Sequence, residues 1–212
     1  MIFLIFSMKR SGQHAIINWM MAQSKGSRHF NNCKIKNKVL VTKRGGKRIE
    51  NGDCLTICNI EDRRINMSFE HVKYIVILRD PFNLVASRLY TDYLKMGTKM
   101  RTRWKSHVKK ALTDERIIDI NYNEWFKDVN YRRQLADRLG LSFTDAGLNR
   151  IPKIGGSSFD GNRYDGKAQQ MDVMNRWKSY VNNKSFWKEI DGEMVELSKQ
   201  YFDFVVGRDY VK

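Results

Sequence analysis

The stretch Ile75–Tyr90, IVILRDPFNLVASRLY, decides the fold class of this chain. Its first four residues, Ile75–Leu78, are apolar and mostly β-branched, which predicts a buried strand. Asp80-Pro81 ends that strand and begins a helix, because proline fits a first helical turn but cannot donate to a sheet. Arg79 is therefore expected at the carboxyl end of a strand, with Ser87 about two turns into the helix. Open α/β sheets bind their ligands at that edge.

The segment by itself leaves two interpretations of Arg79 open. A guanidinium and a hydroxyl that converge at a strand end suit a phosphate group, because arginine can bind phosphate oxygens through two parallel N–H donors. Alternatively, Arg79 forms a structural pair with Asp80 at the corner between the strand and the helix. The choice between the two depends on the rest of the chain.

The amino terminus has the same strand–turn–helix order and favours the phosphate. Ile2–Phe6 is a short apolar run that predicts a strand, and Ala15–Met21 predicts an apolar-rich helix. Between them lies a basic turn that contains serine and glycine, Ser7–His14, SMKRSGQH. Backbone N–H groups and a helix amino terminus in this arrangement cradle an anion.

The turn does not match the loop that binds nucleoside triphosphates. That loop requires the pattern G-x-x-x-x-G-K-[ST], in which the lysine contacts the outer phosphates and the hydroxyl binds Mg²⁺. Ser7 stands where the first glycine belongs, and Gln13-His14 replaces the Lys-Ser/Thr pair. A magnesium-dependent nucleotide or small-molecule kinase on a related scaffold is an alternative that the missing hydroxyl disfavours.

The two segments together resemble the donor-binding motifs of the sulfotransferases. Lys9-Arg10-Ser11-Gly12 resembles the loop that in this family holds the 5′-phosphosulfate of 3′-phosphoadenosine 5′-phosphosulfate (PAPS). The residues from Arg79 to Ser87 fit the family's R-[DN]-P-x-x-x-x-x-S motif, which holds the 3′-phosphate. Further segments resemble family elements in family order, namely Asn121–Trp125 with Leu139-Gly140-Leu141, Ser157-Ser158-Phe159, and Arg176-Trp177-Lys178.

The predicted fold class is α/β, a three-layer sandwich with a mainly parallel central sheet, because apolar strands alternate with helices. The resemblance adds a P-loop-like phosphosulfate-binding loop. Residues 1–212 are expected to form a single sulfotransferase-like catalytic domain, since the chain has only two prolines and no Ser/Gly linker. The resemblance implies transfer of a sulfuryl group from PAPS to an acceptor hydroxyl, with adenosine 3′,5′-bisphosphate (PAP) as the product and no metal.

The resemblance also assigns a donor site. The positions that it places at the 5′-phosphosulfate are Lys9, Arg10, Ser11, Gly12, Gln13 and His14, and Ala15 stands on the adenine side where cytosolic members often have a tryptophan. Those that it places at the 3′-phosphate are Arg79 and Ser87, joined by basic candidates among which the sequence does not choose, Arg163, Lys167 and Arg176. The remaining donor contacts are two candidates for stacking on the adenine, Tyr122 and Phe159, together with Ser158 and Trp177.

Sulfuryl transfer needs a cation at the leaving phosphate oxygen and a base for the acceptor proton. The resemblance gives Arg10 the first role, with the neighbouring Lys9 in reserve. For the base, the resemblance implies a histidine or a glutamate at the end of the strand that precedes the R-D-P strand; no histidine stands there, and Glu61 is the predicted base, with Asp62 second. Both acids stand beside Arg63-Arg64, so the alternative is that they are solvated loop residues.

The net charge of +16 raises a second class of function, a non-catalytic nucleic-acid-binding protein. Basic residues cluster at Lys34–Arg48 and at Lys95–Lys110, and the second cluster contains Trp104 and His107, a histidine that could approach an acceptor. No nucleic-acid-reading module is recognisable, and a positive cleft also suits the donor, so the enzyme is favoured. The basic residues at Lys99–Lys110 favour an acidic saccharide as acceptor, whereas Trp104 and Trp125 favour a sugar face or an aromatic alcohol.

The cysteines and the apolar runs bear on location. Three cysteines are too few for a disulfide scaffold, and Cys54 and Cys58 are expected to be buried on a strand. The run Met1–Phe6 is too short for a signal peptide, and no run reaches the ~20 apolar residues of a spanning helix. The sequence predicts a soluble, cytoplasmic protein without a membrane partner, or a trimmed catalytic domain.

Periodicity and breaker residues predict the remaining elements. Strands are expected at Lys38–Lys43, Asp53–Asn59 and Ile117–Ile120. Helices are expected at Phe82–Lys95, Trp104–Leu112, Val129–Leu139, Met171–Tyr180 and Gly192–Phe202. Ile151–Gly166 is rich in Gly, Ser, Asp and Asn and is expected to be a loop.

Overall fold

The computed structural model describes residues 1–37, 39–50, 52–67, 69–91, 95–151, 157 and 159–206. The strands in these ranges are β1 Ile2–Ser7, β2 Arg28–Phe30, β3 Lys34–Lys36, β4 Val39–Val41, β5 Thr56–Glu61, β6 Val72–Leu78 and β7 Ile117–Asn121. Five of them form a parallel sheet in the order β2-β5-β1-β6-β7. β3 and β4 pair antiparallel as a separate ribbon.

Helices cover both faces of the sheet. They are α1 Gln13–Ala22, α2 Pro81–Leu89, α3 Gly97–Thr113, α4 Tyr122–Lys127, α5 Val129–Leu139, α6 Lys184–Lys188 and α7 Gly192–Phe202, with short 3₁₀ helices at Ala168–Gln170 and Arg176–Tyr180. On β1, Leu4 and Phe6 belong to the core shared with α2, α3 and α7, whereas Phe3 and Ile5 belong to the core shared with α1 and α5. A strand that is buried on both faces has a continuous run of apolar residues in its sequence, as β1 does. The predicted three-layer α/β sandwich is confirmed.

The order of the strands makes the carboxyl end of β1 the ligand crevice. From β1 the chain passes through α1 to β2 and β5 on one side, then crosses to β6 and β7 on the other. Ligands bind where the strand order reverses in this way. Ser7 at the end of β1 lies opposite Glu61 on β5 and Ile77 on β6. The loops after these strands therefore meet at one edge.

The prediction for β5 is displaced along the chain. The strand was expected over Asp53–Asn59, but its pairing with β1 begins only where Thr56 lies opposite Ile2 and continues to Glu61. Cys54 consequently precedes the strand and is half-buried, while Cys58 is buried within it. The expectation of two buried strand cysteines is wrong for Cys54.

The helix expected over Met171–Tyr180 is absent from its first half. The carbonyls of Val173 and Met174 accept hydrogen bonds from the side chains of Arg79 (2.5 Å) and Asn83 (2.9 Å) instead of from helical N–H groups. Tertiary hydrogen bonds thus replace the helix, and only a 3₁₀ helix follows.

Other boundaries shift by less. α2 ends at Leu89 rather than at Lys95, and residues 92–94 lie outside the described ones. α3 begins at Gly97, before the predicted start at Trp104. β2, β3, α4 and α6 were not predicted, because elements of three to six residues are too short to show a period.

Within the described ranges, none of the helices combines the length and the apolarity that crossing a bilayer requires. The single-domain organisation and the cytoplasmic location stay predictions.

Candidate functional site

The turn after β1 wraps the amino terminus of α1. Arg10 and Gly12 both have a positive φ, 75° and 82°. Turns of this kind direct successive backbone N–H groups into an anion-binding concavity. Ser11 between them is 1% exposed, and its Oγ has no hydrogen-bond partner in the described part of the chain. This buried hydroxyl is therefore free to form a hydrogen bond with a bound anion.

Tyr122 packs directly on this turn and explains Gly12. The tyrosine follows β7 and is buried, and a Cβ added to Gly12 would lie within 2.7 Å of its Cζ. Its ring also stacks with Trp125 and Phe126, with centroids 5.8 and 6.0 Å away. Tyr122, a candidate for stacking on the adenine, therefore also supports the turn after β1 through its contact with Gly12.

We expect Gly12→Ala to lower the free energy of unfolding by about 2–5 kcal/mol, the sum of left-handed strain and overpacking against Tyr122. Gly45→Ala is the matched control, because Gly45 has a φ of 79° but nothing lies within 4 Å of an added Cβ. The control should lose only the strain, about 1–2 kcal/mol. Urea unfolding measures both variants, and equal losses would contradict the contact with Tyr122.

Arg79 ends β6 and is 2% exposed. Its Nη1 donates to the carbonyl of Arg10 (3.2 Å) and to Oγ of Ser87 (3.1 Å), and its Nη2 donates to the carbonyl of Val173 (2.5 Å). The guanidinium also lies over the Tyr122 ring, 5.1 Å from the centroid. Its Nε is buried and has no partner among the described residues. One side chain thus joins the turn after β1, α2 and the segment before the last 3₁₀ helix.

Asp80, the alternative partner of Arg79, caps α2. Its carboxylate accepts from the backbone N–H of Asn83 (2.8 Å) and from the Asn83 side-chain amide (3.0 Å). Burial raises the pKa of Asp80, and the nearby charge of Arg79 opposes that rise. The hydrogen bonds of Arg79 therefore go to other groups, while the two charges interact at the corner.

Arg176 is a second cation at Ser87. Its Nη1 donates to Ser87 Oγ (3.3 Å), and its Nη2 donates to Ser157 Oγ (3.0 Å) and to Asp160 Oδ2 (2.9 Å). The guanidinium lies over the Phe159 ring, 4.7 Å from its centroid. Arg176 is buried, so this arrangement is largely shielded from solvent.

Two buried guanidinium groups therefore share one hydroxyl oxygen. Burial, and next the charge of Arg176, lower the pKa of Arg79 to about 10. Like charges at this separation repel, and the Asp160 carboxylate contacts Arg176 rather than Arg79. An anion bound between the two groups would relieve the repulsion, and a phosphate suits donors of this geometry.

The other two basic candidates lie on the surface. Arg163 contacts Oδ1 of Asp160 (3.2 Å), and 68% of the Arg163 side chain is exposed. Arg163 and Lys167 both approach the Tyr164 ring, at 4.9 and 6.0 Å from its centroid. Of the three candidates, the structure brings Arg176 to the hydroxyl on α2.

The sequence also assigned Ser158, Trp177 and Phe159 to the donor site. Ser158 lies outside the described residues. Trp177 is buried, and its backbone N–H donates to Asn83 Oδ1 (3.3 Å). Phe159 stacks on Tyr90, with centroids 4.3 Å apart, and its other contact is the Arg176 guanidinium. Phe159 thus lies beside the two-arginine site.

A partly buried ion pair stabilises the turn after β1 on the side that faces α2. Arg88 on α2 pairs with Asp62 (3.2 Å) and donates to the carbonyl of Lys9 (3.2 Å), while Asp62 accepts from the Lys9 N–H (3.0 Å). Asp62, the second candidate for the base, is therefore engaged in holding the turn. The half-buried Arg10 guanidinium makes no hydrogen bond or ion pair with the residues described, so it is available to a ligand.

Glu61 ends β5 beside the first residue of α1. Gln13 donates to its Oε1, and Asn32 donates to its Oε2 (2.7 Å). Gln13 in turn accepts from the Ser7 hydroxyl. A carboxylate can accept about four hydrogen bonds, so these two orient Glu61 and leave it able to accept another proton donor.

His107 lies in the interior, whereas His14 lies at the edge of the sheet. His107 is buried, and its Nε2 donates to the carbonyl of Arg63 (2.8 Å), so it ties α3 to the segment after β5 instead of facing an acceptor. Burial lowers the pKa of His107 to about 4. His14, the second residue of α1, meets His29 edge-on at 6.4 Å. Ala15 packs against the apolar core under α1.

Comparison with known proteins rests on structure. No protein-family model matches this sequence, and no curated protein matches it. The crystal structure of mouse sulfotransferase SULT7A1 complexed with PAP matches with a TM-score of 0.54 and 15% identity, over 94% of this chain and 83% of that chain. The chain has a sulfotransferase fold. The sulfotransferase domain of the Synechococcus PCC 7002 olefin synthase gives a TM-score of 0.48 at 16% identity, over 72% of this chain and 60% of that chain.

Three residues at this edge of the sulfotransferase fold were not found from the sequence: Arg88, Asn32 and Asp160. Arg88 carried a usable signal, because it directly follows Ser87 on the same helix. Asn32 and Asp160 carried none, since each lies outside the strands and α-helices and reaches the site only through tertiary contacts.

Proposed function

We propose that this protein is a PAPS-dependent sulfotransferase. The proposal rests above all on the two buried guanidinium groups, of Arg79 and Arg176, that donate to the Ser87 hydroxyl at the ligand edge of a sulfotransferase fold. Mouse SULT7A1, a protein of the same fold, is complexed with PAP. Paired arginines at this edge suit the 3′-phosphate that PAPS and PAP have in common.

The described residues fit the donor at both of its phosphate ends. Two of the buried groups without a hydrogen-bond partner among the described residues lie in these motifs, the Ser11 hydroxyl in the turn after β1 and the Nε of Arg79 at the end of β6. Both carry a hydrogen that can be donated, and phosphate oxygens accept hydrogen bonds. The turn would hold the 5′-phosphosulfate, while Arg79, Ser87 and Arg176 would hold the 3′-phosphate.

When bound, PAPS supplies the sulfuryl group: the acceptor oxygen bonds to sulfur as the bond from sulfur to the phosphate oxygen breaks, and PAP leaves with that electron pair. Such in-line displacement depends on positioning and charge stabilisation. Arg10 is proposed to face the charge that develops on the phosphate oxygen, with Lys9 in reserve. The backbone of Lys9, held by Asp62 and Arg88, would keep the turn rigid.

Glu61 is proposed to take the proton that the acceptor hydroxyl loses. The hydrogen bonds from Gln13 and Asn32 orient its carboxylate beside the turn. A base must lie within hydrogen-bond reach of the proton that it removes, so its position at this edge matters as much as its basicity. The ion pair of Asp62 with Arg88 leaves Glu61 as the better placed of the two acids.

Isothermal titration and a transfer assay test this function. PAP should bind at least about 30-fold more tightly than adenosine 5′-monophosphate, because the monophosphate leaves the two guanidinium groups without an anion. Radiolabelled sulfate should pass from PAPS to a hydroxyl acceptor in the presence of a metal chelator. Equal affinity for the two nucleotides would contradict the proposal. Magnesium-dependent turnover of ATP would favour the kinase, and salt-sensitive nucleic-acid binding without PAP binding would favour the nucleic-acid-binding protein.

A further inference from the structure

The basic helix α3 carries two separate sets of cations. On the side that meets the start of α7, the cations are paired with carboxylates: Arg101 lies 3.8 Å from Glu189, and Lys105 and Lys109 lie 2.6 and 2.7 Å from Glu193. These pairs fix α3 against α7 and neutralise that side. Their spacing of four residues places them along one face of the helix.

The second set lines a cavity of about 630 Å³ and has no such partners. Its cations are Lys99, Arg103 and Lys110 from α3, with Arg64 from the facing segment. Among the described residues, no carboxylate forms an ion pair with any of these four side chains. Asp62 and Asp114 lie near enough to Arg103 and Lys110 to interact with their charges, but no ion pair with a described carboxylate fixes any of the four cations, so the cavity keeps an excess of positive charge that attracts anions.

The cavity lies along the segment that directly follows Glu61. Arg103 Nη1 donates to the carbonyl of Asp62 (2.5 Å), and Lys110 Nζ donates to the carbonyl of Ile65 (3.5 Å). These hydrogen bonds hold α3 against the residues that follow Glu61 in the chain. A molecule in this cavity would therefore contact Arg64 and Ile65, which follow Glu61 closely in the chain.

We infer that this cavity binds the acceptor, and that the acceptor is an acidic oligosaccharide whose carboxylates meet the unpaired cations. The inference rests on the proposed sulfotransferase function. Thr102 and Ser106 also line the cavity and supply hydroxyl groups for sugar hydroxyls. Its volume lies in the range of roughly 300–1,000 Å³ that small-ligand sites occupy. No aromatic side chain is among the described lining residues, which disfavours single-stranded nucleic acid, whose bases stack on aromatic rings.

Titration with two hexasaccharides tests this inference. The probes are a chondroitin hexasaccharide free of sulfate groups, which carries carboxylates, and neutral chitohexaose of equal length. The parent should bind the acidic probe about tenfold more tightly than the neutral one, and Lys99→Gln/Lys110→Gln should abolish that preference, since each exposed charge contact adds up to ~1 kcal/mol. Lys105→Gln/Lys109→Gln is the matched control, because it removes the same net charge from the paired side and should keep the preference.

Parallel titrations with PAP separate the two proposals. Both double variants should bind PAP like the parent, because their substitutions lie outside the donor site. Equal affinity for the two hexasaccharides, equal effects of the two double variants, or tighter cavity-dependent binding of a dodecamer of oligouridylate would overturn the inference while PAP binding stands. Failure of the parent to bind PAP would overturn the proposed function and, with it, the acceptor role of the cavity.

Discussion

Arg176→Ala is expected to weaken PAP binding by about 2–5 kcal/mol, which corresponds to roughly 30-fold to several-thousand-fold in Kd. The substitution removes one of the two buried guanidinium groups that meet at Ser87, and the 3′-phosphate would lose a charge-assisted contact that solvent does not screen. Isothermal titration of the parent and the variant with PAP measures the loss. Adenosine 5′-monophosphate, which lacks the 3′-phosphate, should bind both proteins alike.

Arg163→Ala is the matched control for this prediction. Arg163 and Arg176 contact the two oxygens of the same carboxylate, that of Asp160, but the side chain of Arg163 is exposed. Its loss should change PAP affinity by no more than about 0.5 kcal/mol, as for most surface substitutions. Similar losses in the two variants would mean that the general basic charge, and not the geometry at Ser87, binds the nucleotide.

Glu61→Gln is expected to lower kcat by about 10²–10⁴-fold and to leave PAP affinity nearly unchanged. Glutamine keeps the size and polarity of the side chain and removes its ability to take a proton. The measurement combines sulfate transfer from PAPS with PAP titration of the same preparation. An effect confined to turnover would place Glu61 in the chemical step and not in donor binding.

Asn32→Ala provides a graded test of the same base. Asn32 donates to the carboxylate and lies outside the proposed donor contacts, so its removal should lower turnover less than Glu61→Gln does. Parent-like turnover of Glu61→Gln would move the base elsewhere. In that case Asp62→Asn is the next variant, although the buried pair with Arg88 makes a loss of stability part of its effect.

Helices with strong termini could be predicted from the sequence alone. α5 and α7 occupy the expected residues, because Gly140 takes the left-handed conformation that ends the first (φ 72°), and Asp191 caps the start of the second by accepting from the Met194 N–H (3.0 Å). In both helices a local rule determines the end. The helix predicted over Met171–Tyr180 is absent from the first half of that segment, because carbonyls there accept hydrogen bonds from distant side chains. No local pattern encodes such contacts.

In the candidate site, too, the residues placed by a local pattern could be predicted and those placed by tertiary contacts could not. Arg79 could be proposed from local order, because it stands next to a strand end and the edge of a parallel sheet collects such residues, whereas the choice of Glu61 follows from the resemblance to the sulfotransferases. The choice of Arg176 over Arg163 and Lys167 could not, because all three are basic residues within one irregular region and differ only in what they approach. The engagement of Asp62 with Arg88 likewise depends on how α2 packs behind the turn.

The position of Arg79 has a thermodynamic consequence for the proposed nucleotide. The same Nη1 that contacts Ser87 also holds the Arg10 carbonyl in the turn after β1, and the Tyr122 ring touches both Gly12 and the Arg79 guanidinium. The two proposed phosphate subsites thus share structural members and are not independent. Contacting groups couple energetically, so the affinity of a ligand that carries both phosphates is expected to differ from what its halves would give if their free energies were simply added.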